Sequence, residues 1–217
     1  MRLGEVLCVE RGEVMSRIRL VFEKRDFACF VRHVELPQLF GRIARRAGLK
    51  VELTQGMSPH PHIVMGPALP VGVISIYECA EVWFAENVGA QEALEKLNAN
   101  APGGFRFMKA ARIAPDTMSL NKCLDAAAYW MCLRNGARND EALEAIRQDF
   151  SSEVIVKAER VPDGTEFVIH DPSQTGPGAI VKALAAREII SGWPEICMAR
   201  LCIGRWRNDR GELTPIL

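Results

Sequence analysis

Residues 54–62, TQGMSPHPH, gather hydroxyl, amide and imidazole groups around two prolines. Each proline fixes its own φ and pushes the preceding residue toward extended geometry, so Pro59 and Pro61 also restrict Ser58 and His60. In an extended stretch Ser58, His60 and His62 point to one side. Gly56 lets the backbone turn or a ligand come close. The prolines remove two amide donors, which suits an edge or a loop. Such a stiff polar display loses its ordering entropy on folding, before any ligand arrives.

Several chemistries compete for these residues. A metal needs three or four ligands; His60 and His62 supply two with no third His or Cys near, so no metal is expected. Imidazole titrates near neutrality, which makes His33 and His60 candidates for acid–base catalysis. Thr54, Gln55, Gly56, Ser58 and His62, with Glu35, Arg45 and Arg46 from the preceding helical stretch, are candidates for ligand or RNA contact. The plain alternative is a stiff crossover whose histidines hydrogen-bond backbone. Between Glu35 and Glu52 the only charges are Arg42, Arg45, Arg46 and Lys50. That run is either a phosphate-meeting patch or a solvated helix face.

These residues need elements to hold them. Residues 17–22 alternate Arg17 and Arg19 with Ile18, Leu20 and Phe22, a half-buried strand. Leu36, Leu39, Phe40, Ile43, Ala44 and Ala47 draw one helical stripe, with Pro37 in its first turn and Gly48 at its end. Residues 49–53, 62–66, 74–84 and 105–113 read as extended, and 91–98 as a short helix. After a linker at 115–122 the order recurs. A strand at 126–134 and a helix at 139–150 capped by Asn139 lead into a hairpin at 153–170, turning at Pro162-Asp163-Gly164. A helix at 178–190, entered through Gly176 and Gly178, and a strand at 195–206 close it. The expected fold is α+β: two tandem ferredoxin-like βαββαβ units with antiparallel sheets, at 16–114 and 123–210. Residues 1–15 fit neither unit and read as an N-terminal extension.

Bulk properties narrow the class. The 217 residues, 48% hydrophobic, suffice for one large or two small cored domains. Lys+Arg and Asp+Glu both number 27, so net charge gives no reason to expect nucleic acid or membrane. Seven cysteines without a CxxC pair read as reduced thiols in a cytoplasmic protein. No apolar run approaches the length of a membrane span, and the N-terminus lacks a signal-peptide pattern.

The stretch FACFVRHVELPQLFGRIARRAGL, followed by TQGMSPHPHIVMGPALPVGV, resembles the radical SAM-linked proteins of unknown function, found free or behind a B12-binding radical SAM domain. His33, Val34 and Glu35 match the family's helix opening, and Arg45, Arg46, Ala47 and Gly48 its helix end. Residues 54–61 match its Ser/Thr-(Glu/Gln)-Gly-(Phe/Met)-(Asn/Ser)-Pro-His-Pro motif, and residues 69–72 its LPxG. The match is dense over 17–85. Arg32 replaces the usual Ser, and Ser58 the usual Asn. The resemblance implies an RNA-binding or accessory module acting with a radical SAM enzyme in tRNA or rRNA modification. The cysteines never form the CxxxCxxC cluster motif, so that enzyme is a separate chain and no cofactor is expected here. Two alternatives stay open. One is metal-independent RNA processing by His33 or His60, by analogy of fold order with CRISPR repeat-RNA endonucleases. The other is an adaptor docking onto a radical SAM partner through a sheet edge or apolar patch.

Overall fold

The computed structural model describes residues 15–114, 116–136 and 138–217; the expected extension lies outside them apart from Met15. Strand β1 (Ser16–Lys24) leads through two 3-10 turns into α1 (Leu36–Arg46). Then come β2 (Ile63–Met65), β3 (Ile74–Phe84), α2 (Ala90–Asn100) and β4 (Phe105–Ile113). A helical turn α3 (Leu120–Cys123) precedes β5 (Ala126–Leu133), α4 (Asn139–Asp149), β6 (Ile155–Val161) and β7 (Gly164–His170). The chain ends with α5 (Gly178–Ala186), β8 (Ile196–Arg207) and β9 (Glu212–Pro215). The strands run β4-β1-β3-β8-β5-β7-β6, with β2 on β3 and β9 on β8.

The α+β class is therefore present, but as one mixed nine-stranded sheet rather than separate antiparallel ones. Pairing is antiparallel inside each half; β3 and β8 join the halves in parallel through Ile74↔Ala199 and Ser75↔Arg200. Each half buries a helix pair. Phe40, Ile43 and Ala44 of α1 and Leu97 of α2 close over Phe22, Phe105 and Phe107. Phe40 meets Phe22 and Phe107 edge-on at 4.9 and 5.1 Å, a favoured aromatic geometry. Ala142, Ile146, Ile180 and Leu184 of α4 and α5 pack with Tyr129, Met131, Phe167 and Ile169. Among the described residues no helix is long and apolar enough to cross a membrane.

Several details depart from the sequence expectation. Helix α5 stops at Ala186; Glu188 follows at φ 56°, and Ile189 and Ile190 reach the core from outside the helix, which made the apolar pattern look longer. Asn139 is buried and does not cap. Its Oδ1 accepts from the Leu133 N–H at 2.9 Å and its Nδ2 donates to Gly136 O, tying the turn back to β5. The expected linker is partly structural, since Leu120 is fully buried.

That linker explains the largest surprise. Arg17 and Arg19, alternating with apolar residues, are buried rather than solvated. Both reach Glu81 on the neighbouring strand, Arg17 at 2.7 Å and Arg19 at 2.6 Å. Arg17 also donates to Thr117 O and Met118 O of the covering segment. Two guanidinium groups share one carboxylate in a dry layer, so Glu81 is hard to replace: an uncompensated buried charge costs several kcal/mol. Glu81→Gln should lower unfolding stability by about 3–5 kcal/mol in urea titration; a loss below ~1 kcal/mol would contradict a buried pair of this kind.

Candidate functional site

Loop 54–60 closes on itself. The Thr54 N–H donates to His60 O at 2.8 Å, and the His60 N–H donates to Thr54 Oγ1 at 3.2 Å. His60 Nδ1 lies 3.0 Å from that hydroxyl and 3.3 Å from Ser58 O, the tautomer setting which atom donates. Gly56 sits at φ 135°, where a side chain is strained. Gln55, Met57, Ser58 and His60 are exposed. The loop is seated on α1 through one close approach: a Cβ on Gly41 would lie 2.6 Å from Pro61 Cγ. Glycine at that helical position is thus a packing requirement.

His62 faces elsewhere. Its ring stacks on Trp83 at 4.0 Å with planes 2° apart, and its Nδ1 donates to Glu52 Oε2 at 3.0 Å. The Arg17 guanidinium lies 5.1 Å from the same indole ring. Arg42, Arg45, Arg46 and Lys50 are exposed along and just beyond α1, and none forms an ion pair with a described carboxylate. Arg46 donates to Asn100 O at 3.4 Å. Glu35 is engaged locally: it accepts from the Arg32 guanidinium at 2.8 Å and from the Arg32 N–H at 3.1 Å, closing the turn ahead of α1. The Arg32 side chain holds its carboxyl below the usual carboxylate range.

A second polar group lies where the halves join. Strand register sets Lys24 beside Ser75, Ser75 beside Arg200, and Arg200 beside Tyr129, four buried side chains across β1, β3, β8 and β5. Cross-strand partners share a face of the sheet. Arg200, fully buried, donates to both Glu78 oxygens at 2.9 Å, to Tyr129 Oη at 2.9 Å, and to Pro67 O and Ala68 O at 2.9 and 3.0 Å. Lys24 Nζ donates to Val31 O at 3.3 Å, and burial pushes its pKa down against the pull of Glu78. His33, half-buried, lies within electrostatic reach of Glu78, Arg200 and Lys24.

The expected site residues thus fall in two places. The Gly41–Pro61 contact brings loop 54–62 to α1, whose last turn carries Arg45 and Arg46. His33 belongs to the junction with Lys24, Glu78 and Arg200, and no described contact joins it to the loop. Sequence reasoning missed Lys24, Glu78 and Arg200. The available signal was charge inside apolar strands: Glu78 in ISIYECAEVWF and Arg200 in ICMARLCIGRWR. Lys24 gave none, because EKRD reads as a solvated turn. Among the described residues no set of three or more His, Cys, Asp or Glu side chains is placed to hold a metal.

A family profile described as an uncharacterized protein conserved in bacteria, DUF2344, matches residues 17–169, more than half of the chain. The chain belongs to the DUF2344 family. The DUF2344 span takes in Lys24, His33, the whole of loop 54–62, Glu78 and Glu81, and stops before Arg200. No curated protein matches. Among solved structures, an unknown protein from Galdieria sulphuraria is 14% identical with a TM-score of 0.29, covering 86% of this chain and 98% of its own. A protein described as a candidate glycine cleavage system transcriptional repressor is 8% identical with a TM-score of 0.25, covering 87% and 99%. Neither likeness, at such scores, supports a statement on fold or function.

The DUF2344 junction has a pH signature. Burial lowers the His33 pKa, Glu78 opposes the shift, and Arg200 and Lys24 reinforce it. The unfolded chain therefore takes a proton near its ordinary value, about 6.5, while folded His33 stays neutral to lower pH. The stability from neutral His33 is full above that value and is lost as pH falls below it. An NMR titration should place the His33 midpoint below that of a free imidazole, and Glu78→Gln should move it lower still. An unchanged or upward shift in Glu78→Gln would contradict the juxtaposition.

Proposed function

We propose that the chain is an RNA-binding or accessory module working beside a radical SAM enzyme carried on a separate chain, in tRNA or rRNA modification. The observation that carries the RNA part is the α1 surface. Arg42, Arg45, Arg46 and Lys50 are exposed and, among the described residues, their side chains have no carboxylate partner; they lie next to a proline-stiffened loop offering Thr54, Gln55, Ser58 and His60. Exposed guanidinium groups suit phosphate, and the loop's amide and imidazole groups suit an unpaired base edge. The link to a radical SAM enzyme rests on the resemblance of the helix and loop motifs. A docking face for that enzyme is available in Phe27, Phe30, Val34 and Val71, all at least 50% exposed. Their segments are stitched together by the Gly72 N–H donating to Cys29 O at 3.0 Å. An apolar patch of this kind marks interaction surfaces.

We also read the architecture as two ferredoxin-like units sharing one sheet. The order β4-β1-β3-β2 in the first half and β8-β5-β7-β6 in the second supports this, each half repeating the split βαββαβ arrangement. A second functional reading, RNA processing with His33 as acid–base, draws on a half-buried imidazole biased toward its neutral form beside Lys24.

Two measurements on total tRNA test these readings. Binding to total tRNA should weaken steeply with salt, each phosphate contact adding about 0.7 to the log–log slope for single strands. Arg45→Ala with Arg46→Ala should reduce both affinity and slope; unchanged binding would remove the RNA reading. Intact tRNA at every pH in the presence of EDTA would remove the processing reading, and cleavage lost in His33→Ala would support it.

A further inference from the structure

Cys132 of β5 and Cys197 of β8 are direct partners across an antiparallel ladder, flanked by Met131↔Met198 and Leu133↔Ile196. Directly opposed residues in such ladders hold their Cα atoms about 4.5–5.5 Å apart, within the ~4.4–6.8 Å a disulfide spans. The flanking Met131, Leu133, Ile196 and Met198 are buried in the core beneath α4 and α5. Alternation turns both cysteines to the opposite face, where both are half-buried and reachable by solvent. The thiols lie close enough that Cys197 acts directly on Cys132, whose pKa is pushed up first by burial and then by its neighbour. Among the described residues no other two cysteines are strand partners. Cys79 faces Val21 and Cys202 faces Ala128.

We propose that Cys132 and Cys197 form a reversible dithiol–disulfide couple that exchanges with small-molecule disulfides. One thiol loses its proton and attacks the small disulfide, giving a mixed disulfide and one small thiolate. The second thiolate attacks the protein sulfur of that mixed disulfide and expels the other small thiolate. The released protons neutralise the two thiolates. In sum, two protein thiols are oxidised by two electrons and one small disulfide is reduced to two thiols. Because only thiolates attack, and the Cys132 thiol is held protonated, exchange accelerates as pH rises. The bond formed pins the start of β8 to the end of β5, two residues ahead of the Ala199 pairing that joins the halves. This site is independent of the RNA-binding surface.

The test uses the full chain equilibrated with varying ratios of glutathione disulfide to glutathione, followed by intact mass and peptide mapping. The expected product has lost two hydrogens, carries a Cys132–Cys197 link, and reverts with dithiothreitol. Cys132→Ser and Cys197→Ser should each stop at a single glutathione adduct on the remaining partner. Wild-type protein giving only glutathione adducts, a link through a different cysteine, or free thiols at both positions under excess oxidant would each overturn the proposal. The wild-type map decides the matter even where a serine variant fails to fold.

Discussion

The ion pair between Arg200 and Glu78 is the constraint on which the rest of the structure depends. A guanidinium with no solvent exposure is tolerable only when its donors are satisfied. Here the acceptors come from three separate places: the carboxylate of β3, the phenol of β5 and two carbonyls of the segment between β2 and β3. Satisfying one side chain therefore fixes the positions of both halves and of the 67–68 backbone between them. The parallel contact of β3 with β8, only two residue pairs long, lies directly at this point. Backbone pairing so short gives little register on its own, and the buried ion pair supplies the specificity.

From that anchor the placement of the candidate site follows. Lys24 and Ser75 continue the polar row into the first half, and His33, just before α1, lies within its electrostatic reach. From its start near the junction, α1 carries the fold outward, accepting Pro61 against Gly41 at its middle and presenting Arg45 and Arg46 in its last turn. The loop is thus seated on a helix whose approach is tied to the polar row by the Lys24–Val31 hydrogen bond. On the other side of the same strands, the Arg17–Glu81–Arg19 group repeats the device, roofed by residues 117–120. Both layers of this sheet rely on buried charge, which neither strand's alternation advertises.

Local pattern made much of this legible. The stripe of α1, the strand at 74–84, the helix at 139–149 and the hairpin of β6 and β7 all follow from periods of 3.6 and 2 and from turn chemistry. What local pattern could not carry was pairing between distant segments. Arg17 and Arg19 alternate as solvated residues do, and their burial depends on chain a hundred positions away. Lys24 sits in a charged run that looks like a surface turn, and β9 is too short for its period to register. Opposite charges inside apolar strands were readable, Glu78 and Glu81 against Arg17, Arg19 and Arg200, but the partners could not be assigned without the strand order. The loop's two prolines were legible as a local restraint; which side each imidazole faces was decided by Thr54, Glu52 and Trp83.

The most direct measurement of this account is a double-mutant cycle on Glu78→Gln and Arg200→Met, read by urea unfolding of the full chain. Each single change should cost about 3–5 kcal/mol by stranding a buried partner. The double variant should be more stable than the sum of the two losses implies by ~2 kcal/mol or more. Losses that add to within ~0.5 kcal/mol would show that the two side chains act independently and that something else joins the halves.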